Sequence, residues 1–189
     1  MVSVGNESVE KPGIQDLALL RDIEQRCQRH APGLPQTEEV AQVWKGVLFR
    51  VAGRLILAPL DQVGQVLNPP ADITAIPGTK PWVVGVANNR GTLLPIYDLQ
   101  GFLTGLPSVA QARNRVLAVR QDELPFGLLV GDVIGIRNFE ASARMKKTPI
   151  LNEAFGPFIV AGFESGGDLF PVFSLERLAL DVRFNQTPA

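Results

Sequence analysis

The chain carries one cysteine, Cys27, and one histidine, His30, and a thiol three residues from an imidazole is the least from which a nucleophile and its base could be assembled. Both stand in a charged, helix-patterned stretch away from the apolar body of the sequence, so Cys27 reads as a packing residue and His30 as a solvated one. A lone cysteine forms no disulfide within the chain, and one cysteine with one histidine completes no zinc site. The phosphate-cradling run Gly-x-x-x-x-Gly-Lys-Ser/Thr is absent, and no Gly-x-Gly-x-x-Gly opens a helix after a strand. Gly-x-Ser-x-Gly is absent too; Phe163-Glu164-Ser165-Gly166-Gly167 is a turn rich in small residues. Asp98, Asp132 and Asp168 fall at strand ends, where an acid commonly caps a helix or turn. The expectation is a protein that is not an enzyme and uses neither cofactor nor metal.

Charge and length narrow the classes further. With 18 Lys+Arg against 19 Asp+Glu in 189 residues, net charge is −1, which gives no driving force for binding a phosphate backbone, so no nucleic-acid partner is expected. Residues 1–12 carry Glu7 and Glu10 and no apolar run of signal-peptide type. The longest apolar runs, 82–87 and 126–130, have strand length, far below the ~18 residues of a membrane span. A cytoplasmic protein without membrane insertion is expected.

One turn stands out. Asn88-Asn89-Arg90-Gly91 joins two apolar strands, with Gly91 able to take positive φ and Asn88 or Asn89 able to tolerate it. Seventy-six positions on (Pro95 to Pro171), the same turn reads Glu164-Ser165-Gly166-Gly167, with glycine in place of Arg90. Arg90 is therefore dispensable for making the turn. Arginine is enriched at binding hot spots, which makes this one a candidate interface anchor.

The elements that must position it follow from periodicity. Ile14, Leu17, Leu20, Ile23 and Cys27 recur at helical spacing over 14–30, and Pro32-Gly33 stops the helix. Its stripe either packs on its own domain or docks in a partner groove. Beyond a polar link the texture predicts strands at 45–51, 54–59, 63–67, 82–88, 92–97, 115–120, 125–130, 133–137, 158–164 and 168–173, with short helices at 98–103 and 174–180. The shift of 76 also pairs Pro81 with Pro157, Trp82 with Phe158, Leu93 with Leu169 and Tyr97 with Phe173. A shift of 70 (Val63 to Val133) sets Val47, Val63 and Val66 against Leu117, Val133 and Ile136. Each half thus reads as one five-strand module that curls into a small barrel, and the two barrels stabilise each other. The seam between them is either a partner cleft or fully packed.

The run Val63-Gly64-Gln65-Val66-Leu67, then Ile76-Pro77, then residues 81–99 with Asn88-Asn89-Arg90-Gly91 resembles the core signature of CheW-like chemotaxis coupling domains. Arg115-Val116-Leu117-Ala118-Val119 and Gly127-Leu128-Leu129-Val130 continue it over about 45–180. The stretches Asp22-Ile23-Glu24-Gln25-Arg26-Cys27 and Trp44-Lys45-Gly46-Val47-Leu48-Phe49-Arg50 resemble the PilI-type branch, which serves type IV pilus twitching motility. The resemblance implies a mainly β fold of two pseudo-repeated five-stranded SH3-like barrels (45–184) with an N-terminal α-helical extension (1–44). It implies a non-catalytic adaptor joining the cytoplasmic tip of methyl-accepting chemoreceptors to the regulatory domain of a CheA-type histidine kinase, recruited to membrane-bound receptor arrays.

By the same resemblance Arg90 and Val63 lie on the receptor-facing surface, with Gln65, Asn88, Asn89, Gly91, Val130 and Val133 in the partner interface. Three positions depart from the family pattern: Gln65 stands where Glu is usual, Asn89 where Leu is usual, and Gly131 where an acid often follows the valine. Losing the carboxylate at position 65 removes a charge-steering element. A flagellar-type coupling protein, a kinase-independent scaffold of the same fold and a small-molecule-binding β-barrel protein remain the alternatives.

Overall fold

Strands covered on both faces cannot alternate apolar with polar residues; they read as unbroken apolar runs. Val47-Leu48-Phe49, Ile56-Leu57-Ala58, Val116-Leu117-Ala118-Val119 and Phe126 to Val130 are such runs, and the computed structural model places all four in the middle of sheets. The structure describes residues 43–120, 125–145 and 152–186. The helix expected at 14–30, with Cys27 and His30, lies outside the described residues.

The order along the chain is β1 (Val43–Val51), β2 (Arg54–Pro59), β3 (Val63–Leu67), β4 (Ile73–Thr74), β5 (Val83–Asn89), β6 (Thr92–Asp98), α1 (Leu99–Thr104), β7 (Arg115–Val119), β8 (Phe126–Val130), β9 (Asp132–Glu140), β10 (Ile159–Ser165), β11 (Asp168–Phe173), α2 (Leu175–Leu180) and α3 (Val182–Asn185). The protein is mainly β, in two sheets: β10-β11-β2-β1-β9 and β3-β7-β8-β6-β5-β4.

The halves do not each build their own sheet. β1 and β2 from the first half join β9, β10 and β11 from the second, while β7 and β8 join β3, β5 and β6. The expectation of one contiguous five-strand module per half is corrected accordingly: each half lends its first hairpin to the other. The repeat itself holds to the single residue. Val47 pairs with Ala58 and Ile136, and seventy positions on (Val47 to Leu117) Leu117 pairs with Leu128 and, reciprocally, Val66. The register slips between Leu48 and Phe49 in one sheet and between Val63 and Gln65 in the other, which is the same bulge seen twice. The parallel pairs Val172 with Leu57 and Ile96 with Gly127 also superpose.

Three apolar clusters hold this together. The largest takes Phe49, Val51, Ile56 and Phe173 from one sheet, Leu117, Val119 and Leu128 from the other, and Phe158 and Phe184 from the segments that cover them. The seam between the sheets is therefore packed. A second cluster lies under the first sheet and is aromatic: Phe139 stacks on Phe163 at 4.7 Å, and Trp44 sits 4.7 Å from Phe163. The third, Ala87, Ile96 and Val116 under the second sheet, is small because Gly127 stands where the first sheet has Leu57; a Cβ there would approach Val116 Cγ1 to 2.7 Å.

Both junctions from strand to helix are capped by side chains, which explains why they repeat. Asp98 accepts from the Gly101 amide at 3.1 Å, and Ser174 Oγ accepts from the Arg177 amide at 3.1 Å. Gln62 Oε1 adds a bond from the Leu175 amide at 3.2 Å, tying the crossover between sheets to α2.

Gly85 marks where β4 lies against β5. Its φ is +145, and a Cβ would overlap the Thr74 carbonyl oxygen and Ile73 Cγ2. Gly85→Ala should therefore lift β4 from the sheet edge and lower stability by about 2 kcal/mol or more; chemical denaturation measures the loss, and an unchanged midpoint would contradict the packing described.

Candidate functional site

The β5–β6 hairpin pairs Asn89 with Thr92, leaving Arg90 and Gly91 as a two-residue loop. Their φ values are 53 and 88, both positive, the type I′ turn that suits the twist of two antiparallel strands. Positive φ thus falls on Arg90 and Gly91, and on neither asparagine. Asn88 instead braces the loop, its Oδ1 accepting from the Gly91 amide at 2.7 Å. At the equivalent turn Gly166 and Gly167 take φ of 62 and 84. A residue with a Cβ in this region costs about 1–2 kcal/mol relative to glycine. Arg90 is strained where its repeat partner is relaxed, and it is exposed. Beside it Leu93, the register partner of Asn88, is 70% exposed. The braced hairpin thus presents a guanidinium and a bare leucine, residue types suited to a contact surface.

A second feature opens where the chain crosses between sheets. The crossover turn Leu60–Gln62 and the start of β3 face the first residues of β1, leaving a groove of about 570 Å³. Val43, Trp44, Leu60 and Val63 give it an apolar floor, and Lys45, Asp61 and Arg120 give it charge of both signs. The Arg120 amide donates to the Gln62 carbonyl at 2.9 Å, fixing one wall.

The residues expected to form one interface divide. Asn88, Arg90 and Gly91 are exposed together at the tip, with Asn89 half-buried behind them. Val63 is only 6% exposed; it belongs to the main core and shows the groove little more than an edge. Val63 and Gln65 would share a face in a regular strand, but the bulge at Gly64 separates them. Val63 pairs with Val119, which points into the main core, whereas Gln65 pairs with Ala118 on the opposite face. Val130 is fully buried in the main core and Val133 packs half-buried against it, so neither offers a partner a free side chain. Nor does the groove reach the tip: β7, β8 and β6 stand between β3 and β5, a spacing of about 19 Å across a flat sheet.

Trp44, Lys45, Leu60, Asp61 and Arg120 carry no sequence signal for a groove, because the groove exists only once the first hairpin has been lent to the other sheet. Leu93 was readable: strand alternation sends one of Leu93 and Leu94 outward, and Leu94 is buried. Displaced titrations lie elsewhere. The hydrogen-bonded guanidinium of Arg183 holds the Asp181 carboxyl below its usual range, and burial pushes the Tyr97 hydroxyl up. Among the described residues, no three metal-ligating side chains gather into a possible metal site.

The model of the CheW-like domain matches residues 45–182, from the third residue of β1 to the start of α3. The chain belongs to the CheW-like family. It is 46% identical over 141 residues to Protein PilI of Pseudomonas aeruginosa, covering 75% of this chain and 79% of that protein, which places it in the PilI-type branch. It is 27% identical over 88 residues to Chemotaxis protein CheW of Thermotoga maritima, covering 47% of this chain and 57% of that one. The fold is shared with the scaffolding protein TtCheW of Thermoanaerobacter tengcongensis, with a TM-score of 0.64 and 21% identity over 76% of this chain and 96% of that one. A CheW-like domain of the PilI type is a non-catalytic scaffold module, so turnover is no part of its work. No helix among the described residues is long and apolar enough to cross a membrane.

Proposed function

We propose that this chain is a cytoplasmic adaptor that joins chemoreceptor tips to the regulatory domain of a CheA-type histidine kinase, with type IV pilus motility as the output. The similarity to PilI supports the output. Arg90, held at φ 53 where the repeat uses glycine, is the observation that carries the contact role. In this reading residues 45–184 form the coupling domain and 1–44 an extension to it.

The adaptor acts by binding alone. The receptor tip makes two contacts: its helix lies along the groove at the crossover, where Trp44 and Leu60 supply apolar contact and Lys45 and Arg120 supply charge, and a separate part of it meets Arg90 at the β5–β6 turn. The kinase's similar barrels pair with apolar sheet edges, for which Val66 on β3 and Ile136 on β9 are exposed at 42% and 60%. Two contacts on one rigid scaffold then share a coupling free energy, so the receptor's state alters the kinase's geometry.

Lys45→Glu tests the groove. Lys45 is exposed, so the variant should fold normally while weakening receptor-fragment binding roughly five- to tenfold, about 1 kcal/mol, with a reduced on-rate at low salt. Calorimetric titration of the receptor fragment reads this; an unchanged affinity would move the receptor site away from the crossover.

A further inference from the structure

The two hollows of this protein are the same place in its internal repeat. Val43, Trp44 and Asp61 line the groove; seventy positions on (Asp61 to Gly131), Arg113, Asn114 and Gly131 line a second hollow of about 190 Å³, and Arg50 stands there where Arg120 stands in the groove. The chemistry of the two copies has diverged. An indole has become an amide at Trp44 to Asn114, and a carboxylate has vanished at Asp61 to Gly131. The groove keeps an apolar floor and charge of both signs, whereas among the described residues the hollow is lined by two arginines and by amides, with no carboxylate.

We propose that this second hollow, between the β1–β2 turn and the link into β7, binds one small oxyanion, a carboxylate or phosphate group. The donors are set for it. Arg113 spends its Nε on Gln111 Oε1 at 2.7 Å, which fixes the guanidinium plane and leaves both terminal nitrogens to form a fork. Among the described residues, Arg50 Nη1 reaches only the Gly53 carbonyl, at 3.5 Å. Asn114 is 4% exposed and held by its bond to the Val109 carbonyl at 3.0 Å, a rigid polar wall. The acid nearest in sequence to the helical wall is already satisfied: Asp98 accepts from the Gly101 amide at 3.1 Å and from the Ser108 amide and hydroxyl, each at 2.6 Å. Asp132 faces Arg50 in the β1–β9 register, yet among the described residues the ion pair present is Asp181–Arg183. The volume suits one such group with a few waters, each of which takes ~30 Å³ in the liquid.

This inference does not depend on the coupling reading, since its probes are small molecules. The full-length protein is titrated at constant ionic strength with inorganic phosphate in one arm and a capped Glu-Glu dipeptide in the other, following the backbone amides of Gly53, Ser108 and Gly131 by NMR. Saturable shifts confined to these positions, weakened at least fivefold by Arg113→Gln and by Arg50→Gln but not by Arg90→Ala, support the site. Tighter binding of phosphate assigns a free anion, and tighter binding of the dipeptide assigns an acidic side chain of a bound polypeptide. No saturable shift in either arm, or shifts that both arginine variants leave unchanged, overturns it.

Discussion

Arg90→Gly makes the protein more stable and its partner binding weaker. Glycine relieves the positive-φ cost of about 1–2 kcal/mol at this position and gives part of it back as unfolded-chain entropy, about 0.5–1 kcal/mol. The net gain is up to about 1.5 kcal/mol, which at about 2–4 °C per kcal/mol for a chain of this size raises Tm by up to roughly 3–6 °C. The Gly166-Gly167 turn shows that the hairpin closes with glycine in both places, and the brace from Asn88 to the Gly91 amide does not involve the Arg90 side chain. Affinity moves the other way: loss of a central arginine anchor costs about 2 kcal/mol, some thirtyfold. Arg90→Ala keeps a Cβ at the same φ, so it loses the affinity without gaining the stability. Thermal melts paired with binding titrations separate the two effects. A destabilised Arg90→Gly would make this arginine structural and remove it from the interface.

Neither half of the chain folds alone. Fragments covering 43–105 and 106–189 each lack the two central strands of the sheet they mostly form, because β1 and β2 sit between β11 and β9 while β7 and β8 sit between β3 and β6. The main core loses its other wall as well, since Phe49 and Ile56 pack with Leu117, Leu128 and Phe173. Each fragment is expected to unfold without a cooperative transition, and an equimolar mixture to regain one. A fragment that melts cooperatively by itself would show that the modules are contiguous after all.

The strands were legible because central strands covered on both faces leave unbroken apolar runs. The segments expected at 54–59, 63–67 and 168–173 coincide with β2, β3 and β11. β4, with two residues, is too short to leave a pattern, and α3 follows α2 without the spacing of an apolar stripe. The repeat was legible as well, down to Tyr97 and Phe173. What it could not say is which copy pairs with which, because an exchanged hairpin and a retained one bury the same side chains against the same kinds of neighbour. The candidate site divides along the same line. The tip residues Asn88, Arg90 and Gly91 form a local hairpin and follow from local sequence. Val63 and Gln65 depended on a bulge that period-two alternation does not foresee, and the groove depended on the exchange.

The coupling role is tested most directly by co-elution of the purified protein with the regulatory domain of the CheA-type kinase from the same cell, with and without a chemoreceptor tip fragment. The account predicts a complex with the kinase domain that the receptor fragment joins, and that Arg90→Gly, though more stable, weakens with the fragment present. A protein that elutes alone under every condition would contradict it.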